Sequence, residues 1–342
     1  MAGVTPPVAV AEDVAWLRVD DPAHVGRARR AATGLAEQLV FDESRVAEVG
    51  LAVTEIAANL HKHAGEGHVL VRALRAGDRA AVEVVAFDTG PGIADTALAM
   101  LDGQSTAGTL GIGLGVVARS ADHFDLSSRR GRGTVLTARF HAGTRGVPAF
   151  AADPTVTGLT RPLAGEQACG DAYAVRRTAD GRLWLMMCDG SGHGPLAATA
   201  SRTAVRTFAE DEPTSPEAVV AKLHVALRGT RGGAVAAAVL DPARGAVRFA
   251  GLGNIAGAVL TEGHKRSMVS VPGIAGFQAR TIKAFDYELP PGARVVLHSD
   301  GLTERWSSED VADIASPLLL AATLVRDAGV RRDDAGVLVA IP

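Results

Sequence analysis

The chain has 342 residues, 47% of them hydrophobic and 21% charged, with a formal net charge of −3. That length can fill two separate cores, and the charge balance argues against nucleic acid or an anionic membrane as the main partner. The start, "MAGVTPPVAVAEDVAWL", lacks a basic segment followed by an apolar core, and the longest apolar run near the end, "SPLLLAATLV", is too short to span a bilayer. Two cysteines, Cys169 and Cys188, make no disulfide framework, so a cytoplasmic protein is expected.

In chain order, a strand over 15–19 precedes a helix that Asp20 or Asp21 can cap and Pro22 can open. A second helical pattern runs from Asp42 to about Ala64. Alternating strands follow at 68–74 and 80–88 with "RAGDR" as their turn. A glycine-rich segment, 103–115, leads into a helix near 114–121, and "DHFDLSS" and "GTVLTARF" close the half as strands. Residues 141–156 lose periodicity and carry Gly and Pro, which marks a domain boundary. Beyond it, strands are predicted at 156–161, 171–177, 182–188, 233–240, 245–251, 255–261 and 293–298. Helices fit 195–209, 215–228 and a stretch near 308–326, and a final strand follows Asp333-Asp334.

Four motifs carry chemistry in the first half. In "TEIAANLHKHA", Glu55 and Asn59 stand four apart, so a helix projects both from one face. "FDTGPGI" sets Asp88 at a strand end before Gly90 and Gly92, and "GTLGIGLGVVARSAD" places Gly111, Gly113 and Gly115 at a helix start. Glycines so placed let backbone amides approach phosphates, and a helix start favours an anion. "GRGT" puts Thr134 at the head of a strand. His61 and His63 lack a third ligand nearby and read as packing or surface residues.

This ordered set resembles the GHKL ATPase family over about residues 10–142, and within it the small anti-sigma and stressosome serine kinases of bacterial partner switches. The resemblance implies a Bergerat α/β sandwich that binds ATP with Mg2+. Asn59 would coordinate the magnesium, and Glu55 would act as base toward a serine or threonine hydroxyl. Asp88 would read the adenine amino group, with Gly90 and Gly92 making room for the base. Gly111, Gly113 and Gly115 would form a lid over the phosphates, and Thr134 would support the adenine end.

In the second half, "CDGSGHGPLAATA" ends an apolar strand on Asp189 and turns on glycines into a small-residue helix. A lone buried carboxylate is costly unless it is paired. Three more acids stand at strand ends: Asp171 in "GEQACGDAY", Asp300 in "ARVVLHSDGLTE", and Asp333, preferred to Asp334, in "RRDDAGVLVAIP". Such a set suits a hard cation, since magnesium and manganese take oxygen ligands.

The combination is similar to the SpoIIE-type branch of metal-dependent (type 2C) serine/threonine phosphatases, over about residues 157–342. "LHVALRGTRGGAVAAAVL…GLGNIAG" looks most like the compact stressosome phosphatases. The resemblance implies an αββα sandwich holding two Mn2+ or Mg2+ ions. Asp189 would bridge them and the Gly190 carbonyl would help bind one. Asp171 would serve that same ion, directly or through water, while Asp300 and Asp333 would hold the other. A water whose pKa falls from about 16 toward neutrality would attack the phosphoserine in line. Two positions depart from the family pattern: Cys169 stands where a glycine is usual, and Gly336 where Ser or Thr is common. Cys169 reads as a small apolar residue on the strand face of Asp171, and His193 as a hydrogen-bonding loop residue.

The expected architecture is therefore α/β (α+β) with two domains, 1–142 and 157–342, joined by a linker at 143–156. The expected function is bifunctional: phosphorylation and dephosphorylation of STAS-type antagonist or stressosome proteins, with a sigma factor or other regulator as a further partner. The competing readings are a phosphatase whose first domain only senses ATP, and a first domain that sequesters a sigma factor or partner without transferring phosphate.

Overall fold

The computed structural model describes residues 10–76, 79–100, 113–143, 155–330 and 332–342. They fall into two compact units, 10–143 and 155–342. The expected linker lies, except for Gly143, Thr155 and Val156, outside the described residues.

In the first unit, β1 (Val10–Val19) leads to α1 (Pro22–Gln38), which starts where the Asp21 carboxylate accepts from Ala23 N at 2.8 Å. The Asp42 carboxylate accepts from Arg45 N, also at 2.8 Å, to cap α2 (Glu43–Asn59). The sequence pattern continues that helix to Ala64, but Leu60–Ala64 is a single π-helical turn. The strands β2 (Gly67–Ala76) and β3 (Arg79–Asp88), the short α3 (Thr96–Ala99), α4 (Gly113–Ser120), β4 (His123–Arg129) and β5 (Gly133–His141) complete the unit. The sheet runs β1-β2-β3-β5-β4 with every pairing antiparallel. Alternate residues Val69, Val71 and Ala73 of β2, and Val82, Val84 and Ala86 of β3, share a core with Ala28 and Ala32 of α1 and Val49, Val53 and Ile56 of α2. The period of two in the strands meets helical spacing in the helices, which fixes the face that packs.

The second unit is a four-layer sandwich. Its chain order is β6 (Val156–Arg161), β7 (Asp171–Arg177), β8 (Leu183–Gly190), α5 (Gly194–Glu210), α6 (Pro216–Ala226), β9 (Gly233–Asp241), β10 (Ala246–Leu252) and β11 (Ala256–Thr261). Then come β12 (His264–Met268), β13 (Ser270–Val271), β14 (Ala284–Glu288), β15 (Arg294–His298), α7 (Pro317–Ala328) and β16 (Ala335–Ala340). One sheet is ordered β13-β10-β9-β8-β7, with β14 also on β10; the other is β12-β11-β15-β16-β6. Leu183, Leu185 and Met187 face Val295, Leu297 and Leu338 between the sheets. Trp184, Met186 and Cys188 point the other way, under Ala200, Ala204 and Phe208 of α5 and Leu223 of α6. This two-sided burial is why β8 reads as an unbroken apolar run. On the outer side of the second sheet, α7 lies against β6 and β16. Among the described residues no helix is long and apolar enough to cross a membrane.

Candidate active sites

The first cluster forms where α2 ends. Glu55 and Asn59 project together, and the first residue of α4 faces them. A Cβ on Gly113 would lie 3.2 Å from Glu55 Oε2 and 3.3 Å from Asn59 Nδ2. The π turn then brings Ala64 against the loop after β3, where a Cβ on Gly90 would stand 2.9 Å from Ala64 Cα. Asp88 is buried, and its Oδ1 accepts from Gly90 N at 2.8 Å, which fixes the carboxylate in the turn. Gly92 (φ +71°) could carry no side chain, because a Cβ would fall 2.2 Å from the Arg129 carbonyl. Thr134 Oγ1 is 2.9 Å from Ser128 Oγ, which also accepts from Ile93 N at 2.7 Å. Ser128 thus ties the head of β5 to the Asp88 loop, a role with no signal in the sequence. Gly115 is buried within α4, and Gly111 lies outside the described residues. The structure therefore groups Glu55, Asn59 and Gly113 at one point. Asp88, Gly90, Gly92 and Thr134 group around the adjoining loop.

The second cluster lies at one end of the sandwich, with acids from both sheets. Asp171 opens β7 and is the register partner of Asp189 on β8. Asp300 follows β15 and Asp333 precedes β16, and these two strands pair side by side. Ser299 links the sheets: its Oγ donates to Asp171 Oδ2 at 2.5 Å and accepts from Gly336 N at 2.9 Å. Space explains Gly336, since a Cβ there would meet Met187 Cε at 2.7 Å and Asp171 Cβ at 3.0 Å. The hydroxyl that this position lacks reaches Asp171 from Ser299 instead. Gly190 is equally constrained, its Cβ falling 2.3 Å from the Ala197 carbonyl.

The adjacent acids Asp333 and Asp334 have different tasks. Asp334 is buried, and its two oxygens accept from Leu163 N at 2.7 Å and Gly170 N at 2.8 Å. Asp333 is half-buried and accepts from Asp334 N, leaving oxygen lone pairs for another ligand. Asp300 is exposed and accepts from Asn254 Nδ2 at 2.6 Å, so the Asn of "GLGN" belongs to this neighbourhood.

Burial, then the fields of Asp171, Asp300 and Asp333, push the Asp189 carboxyl up to about 9. Burial likewise pushes Asp171 up to about 7, opposed by the Ser299 hydroxyl and reinforced by Asp334, Asp300 and Asp333. Burial and Asp300 raise Asp333. Among the described residues no three His, Cys, Asp or Glu side chains close on one point as a finished ligand shell. What the chain provides is a set of oxygen donors whose mutual repulsion a hard divalent cation would relieve.

The family models divide the chain at the same place as the two clusters. "Histidine kinase-like ATPase domain" matches residues 19–140, and "Stage II sporulation protein E (SpoIIE)" matches residues 179–339. The serine/threonine-protein kinase RsbT of Bacillus subtilis (strain 168) is 33% identical over 126 residues, 37% of this chain and 95% of RsbT. The chain belongs with the histidine kinase-like ATPases in its first half and the SpoIIE phosphatases in its second. A solved structure described as "The bacterial stressosome: a modular system that has been adapted to control secondary messenger signaling" is 31% identical. It covers 54% of this chain and 98% of its own, at TM-score 0.51. A structure of RsbX in complex with magnesium overlaps 56% of this chain and 97% of its own at TM-score 0.48 and 17% identity.

Glu55, Asn59, Asp88 and Thr134 all fall within the ATPase-domain match, and Asp189, Asp300 and Asp333 within the SpoIIE match. Asp171 precedes the SpoIIE match and joins the cluster through its pairing with Asp189. Cys169 lies before β7 rather than on the strand face of Asp171. His193 hydrogen-bonds through Nδ1 to Glu166 Oε1 at 2.8 Å. Sequence reasoning missed Ser299, Asn254, Ser128 and Glu166. Ser299, next to Asp300, Asn254, between strands in "GLGN", and Glu166, inside "GEQACGDAY", stood in or beside motifs that could have drawn notice.

Proposed function

We propose that the chain is a bifunctional partner-switching regulator. Its first domain phosphorylates, and its second dephosphorylates, serine or threonine on STAS-type antagonist or stressosome proteins. The observation that carries this reading is the meeting of Glu55, Asn59 and Gly113 in a chain that also holds the acid cluster around Asp189. A phosphoryl donor site and a phosphoryl removal site then share one polypeptide, which raises the effective concentration of both around a common substrate.

In the first domain, Asn59 would hold the magnesium of ATP through its amide oxygen. Glu55, one helical turn earlier, would accept the proton of the incoming hydroxyl. The absence of a side chain at Gly113 leaves the space above both groups open. Asp88, held by Gly90 N, would receive the adenine amino group. Phosphoryl transfer needs chiefly positioning and charge neutralisation, and these residues supply both.

In the second domain, Asp171, Asp189, Asp300, Asp333 and the Gly190 carbonyl would hold two Mn2+ or Mg2+ ions. When bound, such ions acidify water and neutralise phosphoryl charge. Ser299 fixes the rotamer of Asp171, Asn254 orients Asp300, and Asp334 anchors the loops at Leu163 and Gly170. RsbT similarity and the stressosome structure support the substrate class, and a sigma factor is proposed only as a downstream partner.

The test is incubation of the full chain with labelled ATP, Mg2+ and candidate STAS proteins, followed by Mn2+ and a chase. Transfer, followed by Mn2+-dependent loss of label, is expected. Loss of pre-installed phosphate without any transfer would reduce the first domain to an ATP sensor.

A further inference from the structure

Resting on the phosphatase reading above, we infer that Arg231 binds the phosphoryl group of the substrate. The residue sits in "TRGG", a turn fixed on both sides. Before it, Thr230 Oγ1 donates to the Leu227 carbonyl at 2.7 Å and accepts from Gly232 N at 2.9 Å. After it, the Gly232 carbonyl accepts from Ser191 N at 2.9 Å, and Gly233 pairs with Gly190. Gly232 (φ +66°) could hold no other residue, because a Cβ would meet the Ala275 carbonyl at 2.4 Å and the Phe277 ring at 2.8 Å. Arg231 is therefore anchored directly to the segment Asp189-Gly190-Ser191 that carries the acid cluster.

Its side chain reaches back over that segment. A Cβ on Gly192 would lie 3.1 Å from Arg231 Nη1, so the guanidinium rests over the glycine three residues past Asp189. Arg231 is exposed, and among the described residues its guanidinium makes no hydrogen bond or ion pair. An arginine kept only to neutralise the acids would be paired with one of them. Other cations of this domain are paired with carboxylates: Lys265 with Glu304 at 2.9 Å, and Arg248 with Glu217 at 2.9 Å. A fork of donors left open over the loop that leaves Asp189 matches an anion that arrives with the substrate. A phosphomonoester presents the oxygens for bidentate contact. Gly192 (φ +87°) leaves the guanidinium room, since a Cβ there would press on Nη1 at 3.1 Å.

The role is substrate binding, so it should appear in affinity for phosphate rather than in metal dependence. Initial rates with a phosphoserine peptide and with p-nitrophenyl phosphate, and inhibition by inorganic phosphate, would be compared in the wild type, Arg231→Ala and Arg231→Lys at saturating Mn2+. Expected for Arg231→Ala is a rise of about tenfold in KM and in the phosphate inhibition constant, the loss of one charge-assisted contact. The Mn2+ titration and thermal unfolding should match the wild type, and Arg231→Lys should restore part of the affinity. If KM and phosphate inhibition in Arg231→Ala stay within about twofold of an active wild type, the inference fails while the phosphatase reading stands. If the wild type shows no Mn2+-dependent hydrolysis, that reading fails and this inference with it.

Discussion

The two candidate sites solve the same electrostatic problem in opposite ways. Around Glu55 and Asn59 the chain contributes one carboxylate and one amide on a helix face, with a glycine above them. Around Asp189 it gathers carboxylates from both sheets of a sandwich, and burial and repulsion raise Asp171 and Asp189 far above ordinary aspartates. A nucleotide brings its own charge and its own magnesium, so a site for it needs few acids and much room. On the proposed function, the second site holds two cations before the substrate arrives, and that requires the acids to be preassembled. The second site is therefore the more costly in the metal-free chain, and the more dependent on its ions.

Removing one acid should have the largest effect. Asp189→Asn or Asp300→Asn is expected to lower hydrolysis of a phosphoserine substrate at least about a hundredfold, and chelation by EDTA should abolish it. Initial rates at saturating Mn2+ are the measurement, and full activity in metal-free protein would contradict the contrast drawn above.

Backbone crowding separates the sites next. A Cβ on Gly301 would lie 1.8 Å from the Asp334 carbonyl, whereas a Cβ on Gly113 meets only side-chain tips at 3.2 Å or more. Gly301→Ala should cost about 2 kcal/mol of stability, roughly thirtyfold in the folding equilibrium. Gly113→Ala should leave stability within about 0.5 kcal/mol yet weaken ATP binding. Denaturant unfolding and calorimetry on the full chain would show whether the two effects part in this way.

Asn59→Ala should weaken Mg2+–ATP binding about tenfold, as expected for loss of one contact to a charged group. Equal affinity in the variant would remove Asn59 from the nucleotide site.

The sites also differ in pH dependence. Asp171 and Asp189 bind protons more tightly folded than unfolded, so the folded state holds more protons above the unfolded aspartate value of about 4. Stability of the metal-free protein should therefore fall as pH rises from about 4 through the raised folded values near 7 and 9. Saturating Mn2+ should remove the slope, and Asp189→Asn should flatten it. Thermal unfolding across that range is the check, and a rise in stability over it would contradict the assigned burial.

Much of this was legible in the sequence. The strands expected at 156–161 and 171–177 form with those bounds, where turn residues flank them: Pro162 after the first, Gly170 before and Asp180-Gly181 after the second. The helix expected near 308–326 is shorter, starting at Pro317, where Ser316 caps it, after a separate 3-10 turn at Glu309–Val311. β12 and β14 went unseen for different reasons: "HKRSM" buries only Met268, and "AFDYE" alternates Phe285 and Tyr287 with Asp286 and Glu288 over five residues only. The π turn after Asn59 was hidden for a different reason: its apolar spacing still reads as helix, while Gly65 and the packing of Ala64 on Gly90 set where the chain turns. At the sites, glycines before or after acids gave the primary residues away. The supporting hydroxyls and amides, Ser299, Ser128 and Asn254, carry no periodic signal because only the fold brings them into contact.

On the proposed function one chain both adds and removes phosphate, with Glu55 as the base for addition. A general base must reach the acceptor hydroxyl but need not hold the nucleotide. The most direct measurement compares Asp189→Asn with the double variant Glu55→Gln/Asp189→Asn, using labelled ATP and a STAS protein, so that hydrolysis cannot erase the product. Transfer by Asp189→Asn is expected, with its loss in the double variant despite nearly unchanged ATP binding. Transfer by the double variant at the parent rate would contradict the role of Glu55. No transfer by Asp189→Asn to any STAS protein of the same organism would contradict bifunctionality.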